Sequence, residues 1–227
     1  MIRAPTPADA VIEDELRVYL VRHGRSMAND RVGVIGGRCP LSPLTKAGRL
    51  EAENLGRSLG GARIVPDFVH TSPAVRARDT AYLALAKMNH STRVVVDERL
   101  HEQDVGEWAD RMGSEIYNDE VLRRSQALGK DFQPPGGESM NDVGRRMAAW
   151  LDDLPNGEEV RPVVVLAFTH GGAIRALASR IHQWSHARTY NTRPANASVS
   201  MVTRSGTIAK FRFVGLDARA VRQPDPT

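Results

Sequence analysis

The order of apolar runs and amphipathic stretches leaves this chain few folds. Four runs rich in strand formers, Arg17–Val21 (RVYLV), Phe68–Val69, Arg93–Val96 and Val163–Phe168, are separated by segments with helical apolar spacing. Those segments are Thr45–Leu59, Ala74–Met88, Ser139–Leu154 and Ala173–Trp184. Short continuous apolar runs alternating with helices belong to a mostly parallel sheet covered on both faces. The expected fold class is therefore α/β, a three-layer α/β/α sandwich. Two more strand-like stretches, Ser198–Thr203 and Ala209–Val214, flank the turn-forming pair Ser205-Gly206, so the sheet is expected to end in an antiparallel hairpin edge.

The 227 residues fit one domain large enough to bury a proper core. It is expected over residues 17–215, between loosely ordered ends at 1–16 and 216–227, with a helical lid excursion at 111–138. Within the excursion, Pro134-Pro135-Gly136-Gly137 reads as a rigid loop leading to Ser139, a good helix N-cap. The longest apolar run, Val163–Phe168, is far short of a membrane span, so no membrane partner is expected. Acidic Glu13, Asp14 and Glu15 stand where a secretory signal needs apolar residues, and the single Cys39 cannot form an intrachain disulfide. Both point to a cytoplasmic protein. The formal net charge of +4 is spread along the chain rather than gathered into basic runs, which argues against a nucleic-acid partner.

In open parallel sheets, ligands sit beyond the carboxyl ends of the strands. Four polar segments follow the four apolar runs: Arg22-His23-Gly24-Arg25-Ser26, His70-Thr71-Ser72-Pro73-Ala74-Val75-Arg76, Asp97-Glu98-Arg99-Leu100-His101-Glu102 and Thr169-His170-Gly171-Gly172. Two histidines, each followed by glycine at a strand end, suit a phosphate-sized anion site lined by backbone N–H groups. Imidazole attacks phosphorus only when neutral, and cations such as Arg22 and Arg76 disfavour its protonation while binding phosphoryl oxygens. A carboxyl group must then protonate the leaving oxygen, with Glu102 and Asp104 as the candidates.

The stretch Leu20-Val21-Arg22-His23-Gly24-Arg25-Ser26-Met27-Ala28-Asn29 resembles the motif of the histidine phosphatase superfamily, branch 1, which includes the phosphoglycerate mutases. Blocks at Pro43–Gly48, Thr71–Ala81, Leu100–Trp108, Pro135–Ser139 and Phe168–Arg175 match in the same order. The resemblance implies a phosphoglycerate mutase-like fold in which His23 takes the phosphoryl group as a phosphohistidine. It further implies that Arg22, Arg76 and His170 bind phosphoryl oxygens, that Glu102 is the proton donor, and that Gly24, Asn29 and Gly171 serve substrate binding. It implies no metal and no organic cofactor.

Position 25, often acidic in that family, is Arg here, which places positive charge at the expected pocket mouth. The segment Arg31–Ser42 is longer than the family's usual spacing, so no substrate contacts are carried onto it. Roughly 35 residues separate Glu102 from the Gly-Glu-Ser block, shorter than in the mutases. A shorter cover admits water and favours a phosphomonoesterase acting on a small phosphorylated metabolite. The competing expectations are a phosphoglycerate mutase and a non-catalytic phosphate-binding regulatory module. Arg123 and Arg124 are read as a solvated helix face or as reaching a second substrate anion from the lid. His182 and His186, four residues apart, are read as helix surface rather than a zinc pair, and His101 as an exposed neighbour of the site. The sequence leaves the substrate open, and a homo-oligomer paired through the hairpin edge equally so.

Overall fold

A computed structural model describes residues 15–157 and 161–222. Its six strands, β1 (Leu16–Arg22), β2 (Phe68–Thr71), β3 (Val94–Val96), β4 (Val163–Thr169), β5 (Val199–Ser205) and β6 (Ile208–Leu216), form one sheet in the order β3-β2-β4-β1-β5-β6. Pairing is parallel from β3 through β2 and β4 to β1, and antiparallel from β1 to β5 and β6. Seven helices accompany them: α1 (Lys46–Gly61), α2 (Val75–Met88), α3 (Gly113–Ile116), α4 (Asp119–Leu128), α5 (Met140–Asp152), α6 (Gly171–His182) and α7 (His186–Asn191).

Side-chain alternation along the two central strands builds the three layers. Leu16, Val18 and Leu20 of β1 and Val165 and Ala167 of β4 face α5 and α6, joining Val143, Met147, Trp150, Ile174 and Leu177 in one core. Tyr19 and Val21, with Leu166 and Phe168, point the other way, onto Leu55 and Leu59 of α1 and Ala81, Ala84 and Leu85 of α2. Burying each large aliphatic or aromatic side chain contributes about 1.5–3 kcal/mol. Both faces of the central strands are therefore apolar, which explains why their sequences read as continuous runs.

Local chemistry sets the helix ends. Ser139 caps α5 and exchanges hydrogen bonds with Asp142 in a capping box. Thr45 accepts from the Gly48 N–H at the start of α1. Asn89 and Gln183 end α2 and α6 in the left-handed region. Trp184 therefore falls just past α6, and His182 and His186 sit on separate helices, so the α-helical spacing between them has no geometric meaning here.

The ends are more ordered than their composition suggests. Leu16 opens β1 and is fully buried, and Leu216 closes β6. Ala218 and Val221 beyond it pack against the α1/α2 core, held by a short 3-10 turn that Asp217 caps. A few apolar residues among polar ones suffice for this docking, and they carry no periodicity to announce it. The expectations for residues 1–14 and 223–227 lie outside the described residues. Among the described residues, no helix is long and apolar enough to cross a membrane.

Candidate active site

The carboxyl ends of β1, β2 and β4 converge, and the loop after β3 closes over them. The resulting cleft has a volume of about 560 Å³. Arg22, His23, Asn29, Arg76 and Glu102 line it, together with residues of the Arg31–Gly37 segment and of α7. His170, Gly24 and Gly171 stand behind this wall rather than in it.

His23 leaves β1 with its ring almost wholly buried. Its Nδ1–H donates to the Gly24 carbonyl at 2.7 Å, which fixes the tautomer and leaves the Nε2 lone pair toward the cleft side. Arg76, in the first turn of α2, donates its Nε–H to that Nε2 at 3.0 Å. The guanidinium also reaches the Cys39 carbonyl at 2.7 Å and His170 Nδ1 at 3.1 Å. Since arginine only donates, His170 accepts on Nδ1 and donates from Nε2 to Ser72 Oγ at 2.8 Å. The two imidazoles meet edge to face, their centroids 5.1 Å apart.

Both rings are held neutral. Burial pushes the His23 pKa well below its ordinary value, the Arg76 and Arg22 charges add to this, and the Gly24 carbonyl opposes it. For His170 the order is burial, then Arg76, then His23. His70 and His101 are lowered as well, chiefly by burial. A lowered histidine pKa means that the unfolded chain takes up protons below pH 6.5 while the folded chain does not. Stability is then lost as pH falls below 6.5, at up to about 1.4 kcal/mol per pH unit for each such histidine. Urea denaturation is expected to show a falling midpoint between pH 6.5 and about pH 5, above the range where the carboxylates titrate. A flat profile in that window would contradict neutral buried histidines.

Glycine is needed where backbones touch. A Cβ on Gly24 would lie 2.4 Å from the Gly48 carbonyl oxygen, so the loop after β1 comes this close to the α1 backbone only because position 24 is glycine. Gly171 packs against the Arg22 guanidinium, and a Cβ on Gly172 would lie 2.0 Å from Glu102 Oε1. That second contact exists because the Glu102 carboxylate docks on the start of α6, accepting from Gly172 N–H at 3.0 Å and from Gln103 N–H at 2.8 Å. Asp104 is turned away, accepting from Gly106 N–H and facing Arg38. Of the two carboxylates, Glu102 is the one in the cleft.

Arg146 of α5 holds the Glu102 loop from behind. It donates to the Arg99, His101 and Glu102 carbonyls and pairs with Glu138 at 2.8 Å. Glu138 in turn accepts from Asp104 N–H. Nothing in the sequence singled out Arg146, although Glu138 lies in the Pro-Gly-Gly-Glu-Ser block that leads into it. Asn29 Oδ1 accepts from Ser26 N–H, Ser26 Oγ–H and Asn196 Nδ2–H, which leaves the Asn29 amide N–H groups for the cleft.

Several expectations change. Arg25 is exposed and bonded to Asp30, outside the cleft lining, because the Arg25 backbone is drawn onto Thr45 and Glu51 at the start of α1. Arg123 and Arg124 lie on the exposed face of α4, and of the excursion only Tyr117 lines the cleft. The lid packs instead on its own small core of Trp108, Ile116 and Phe132. His101 is buried, stacked on the His170 ring at 6.1 Å. Arg31, Tyr117, Arg175, Tyr190 and Arg193 line the cleft although sequence patterning gave them no role. Among the described residues, no group of three or more His, Cys, Asp or Glu side chains forms a metal-ligating cluster.

A neutral imidazole whose unprotonated Nε2 faces an arginine, at the strand ends of a three-layer α/β fold, suits phosphoryl chemistry. Comparison with known proteins makes the assignment specific. Residues 18–216 match the histidine phosphatase superfamily (branch 1), and the chain belongs to that superfamily. It is 32% identical over 169 residues to a 2,3-bisphosphoglycerate-dependent phosphoglycerate mutase of Brucella anthropi, covering 70% of this chain and 78% of the relative. A putative alpha-ribazole-5'-P phosphatase of Escherichia coli superposes with a TM-score of 0.73 at 26% identity, over 92% of this chain and 98% of that one. A mycobacterial glucosyl-3-phosphoglycerate phosphatase shares the fold, with a TM-score of 0.74 at 24% identity, over 88% of this chain and 99% of that one.

Proposed function

We propose that the protein is a metal-independent phosphomonoesterase that hydrolyses a small phosphorylated metabolite through a phosphohistidine on His23. The observation that carries this reading is the His23 ring itself: neutral, with Nδ1–H anchored on Gly24 and Nε2 directed at Arg76. On substrate binding, Arg76 transfers its Nε–H bond from His23 to a phosphoryl oxygen, so one movement frees the nucleophile and neutralises the electrophile. Arg22 and the Asn29 amide take further oxygens, while His170 holds Arg76 from behind. The Nε2 lone pair then bonds to phosphorus as the ester P–O bond breaks, and protonated Glu102 gives its proton to the leaving oxygen. In the second step, water attacks phosphorus, Glu102 recovers a proton from it, and the N–P bond breaks to restore neutral His23.

Hydrolysis is favoured over phosphoryl return because the lid contributes only Tyr117 to the cleft and leaves water a path to the phosphohistidine. The resemblance to the Brucella mutase supports a second reading, isomerisation of a phosphoglycerate. Phosphate release from a panel of phosphomonoesters in EDTA, with isomerisation of 3-phosphoglycerate followed in the same samples, separates the two. Release in EDTA is expected. Isomerisation that depends on a bisphosphorylated primer, without release, would overturn the proposal, and silence across the panel would leave the binding-module reading.

A further inference from the structure

Five arginines line the cleft, Arg22, Arg31, Arg76, Arg175 and Arg193, against one carboxylate among the described residues, Glu102. Arg31 is paired with Asp110. The other four have no ion-pair partner among the described residues, although elsewhere in the chain arginines such as Arg99, Arg146 and Arg161 are matched with acids. A phosphomonoester, which carries about two negative charges, together with Glu102 even in its ionised form, still leaves at least one positive charge uncompensated. Cations gathered in a partly dry cleft repel one another unless an anion joins them.

The surplus lies on α6 and the loop after α7, on the side of Arg22: the Arg175 charge acts on Arg22, and Arg22 donates to the Pro194 carbonyl at 2.6 Å. Arg175 sits over the Tyr190 ring at 5.4 Å, and its charge acts on both Tyr190 and Tyr117. Arg175 Nε is buried and has no hydrogen-bond partner. The ring restrains the guanidinium, so ordering its N–H groups on an anion costs less further entropy. Arg193 lines the same end of the cleft two residues after α7.

With the reacting phosphoryl group at His23, as in the proposed function, we infer that Arg175 and Arg193 form an outer subsite for a second anionic group on the substrate. That group is a carboxylate or a second phosphate. The site selects doubly anionic organic phosphates over neutral esters, with Tyr117 and Tyr190 flanking the linker between the two charges.

The test compares two matched pairs of ligands by calorimetry on the His23→Ala background, where turnover plays no part. 3-Phosphoglycerate differs from glycerol 3-phosphate by a carboxylate, and glucose 1,6-bisphosphate from glucose 6-phosphate by a phosphate. In at least one pair the extra anion is expected to tighten binding about tenfold or more, and the pair concerned identifies the group. Adding Arg175→Gln, or Arg193→Gln if the first variant folds poorly, is expected to bring the two members within about threefold. A structural defect would weaken both members alike and leave their ratio intact. Equal binding within both pairs, or a ratio untouched by either folded arginine variant, would overturn the subsite. A ratio that the arginine variants collapse, in a protein whose wild type releases no phosphate, would overturn only the hydrolytic reading.

Discussion

Replacing His23 by alanine is expected to abolish phosphate release, lowering kcat on the order of 10⁴-fold or more while the fold persists. Loss of a covalent nucleophile removes the reaction path itself, and what remains is electrostatic stabilisation by the arginines. The ring is buried, so folding must be checked separately. Removing it opens a small cavity beside Arg76 and leaves Gly24 O without a donor, a loss of a few kcal/mol at most. The circular dichroism spectrum is expected to match the wild type, with a lower melting temperature. Brief incubation of wild type with radiolabelled substrate and quenching in base is expected to trap label on His23 that acid releases, as a phosphoramidate requires. A folded His23→Ala variant within tenfold of wild type, or label retained after the substitution, would exclude His23 as the acceptor.

The parts of this arrangement legible in the sequence share one property: they are local. β1 and β4 announced themselves because both of their faces are buried, and the residues that follow them, Arg22-His23 and His170, are fixed at strand ends whatever the loops do. The Ser139 cap and the turn at Gly206 are equally local, and both fall where patterning puts them. Glu102 was separable from Asp104 in the sequence only through the family resemblance, because the two lie on one irregular loop and the physical choice depends on which one reaches the start of α6.

The outer end of the cleft was illegible for the same reason. Arg175 reads as an ordinary position on an amphipathic helix, and Tyr190 lies on α7, a helix of six residues with too few turns to show periodicity. Their stacking across two helices has no trace in spacing. Arg146 is likewise one arginine among many, and its importance comes from three carbonyls of a loop some 45 residues away in sequence. The tail from Leu216 to Val221 was misread because two or three apolar anchors can dock a segment whose average composition is polar.

Glu102 yields the second large effect, and it depends on the leaving group. With an alkyl phosphomonoester the departing oxygen needs a proton, and Glu102→Gln is expected to lower kcat/KM by about 10²–10⁴-fold. With p-nitrophenyl phosphate the departing phenolate is stable without one, and kcat/KM is expected to stay within about tenfold of wild type. The ratio kcat/KM is the right readout because it stops at the first irreversible step, transfer to His23, and is blind to the later hydrolysis in which Glu102 acts as base. Gly172→Ala tests the same carboxylate from the opposite side. Its methyl group would lie 2.0 Å from Oε1, so Glu102 must leave the start of α6. Alanine is a better helix former than glycine by about 1 kcal/mol, which offsets part of the local strain. The variant is therefore expected to fold and to show the same dependence on leaving group as Glu102→Gln, without any change to the chemistry of the residue itself. Equal losses on both esters in the two variants would mean that Glu102 only positions the substrate and that the leaving oxygen takes its proton from another source.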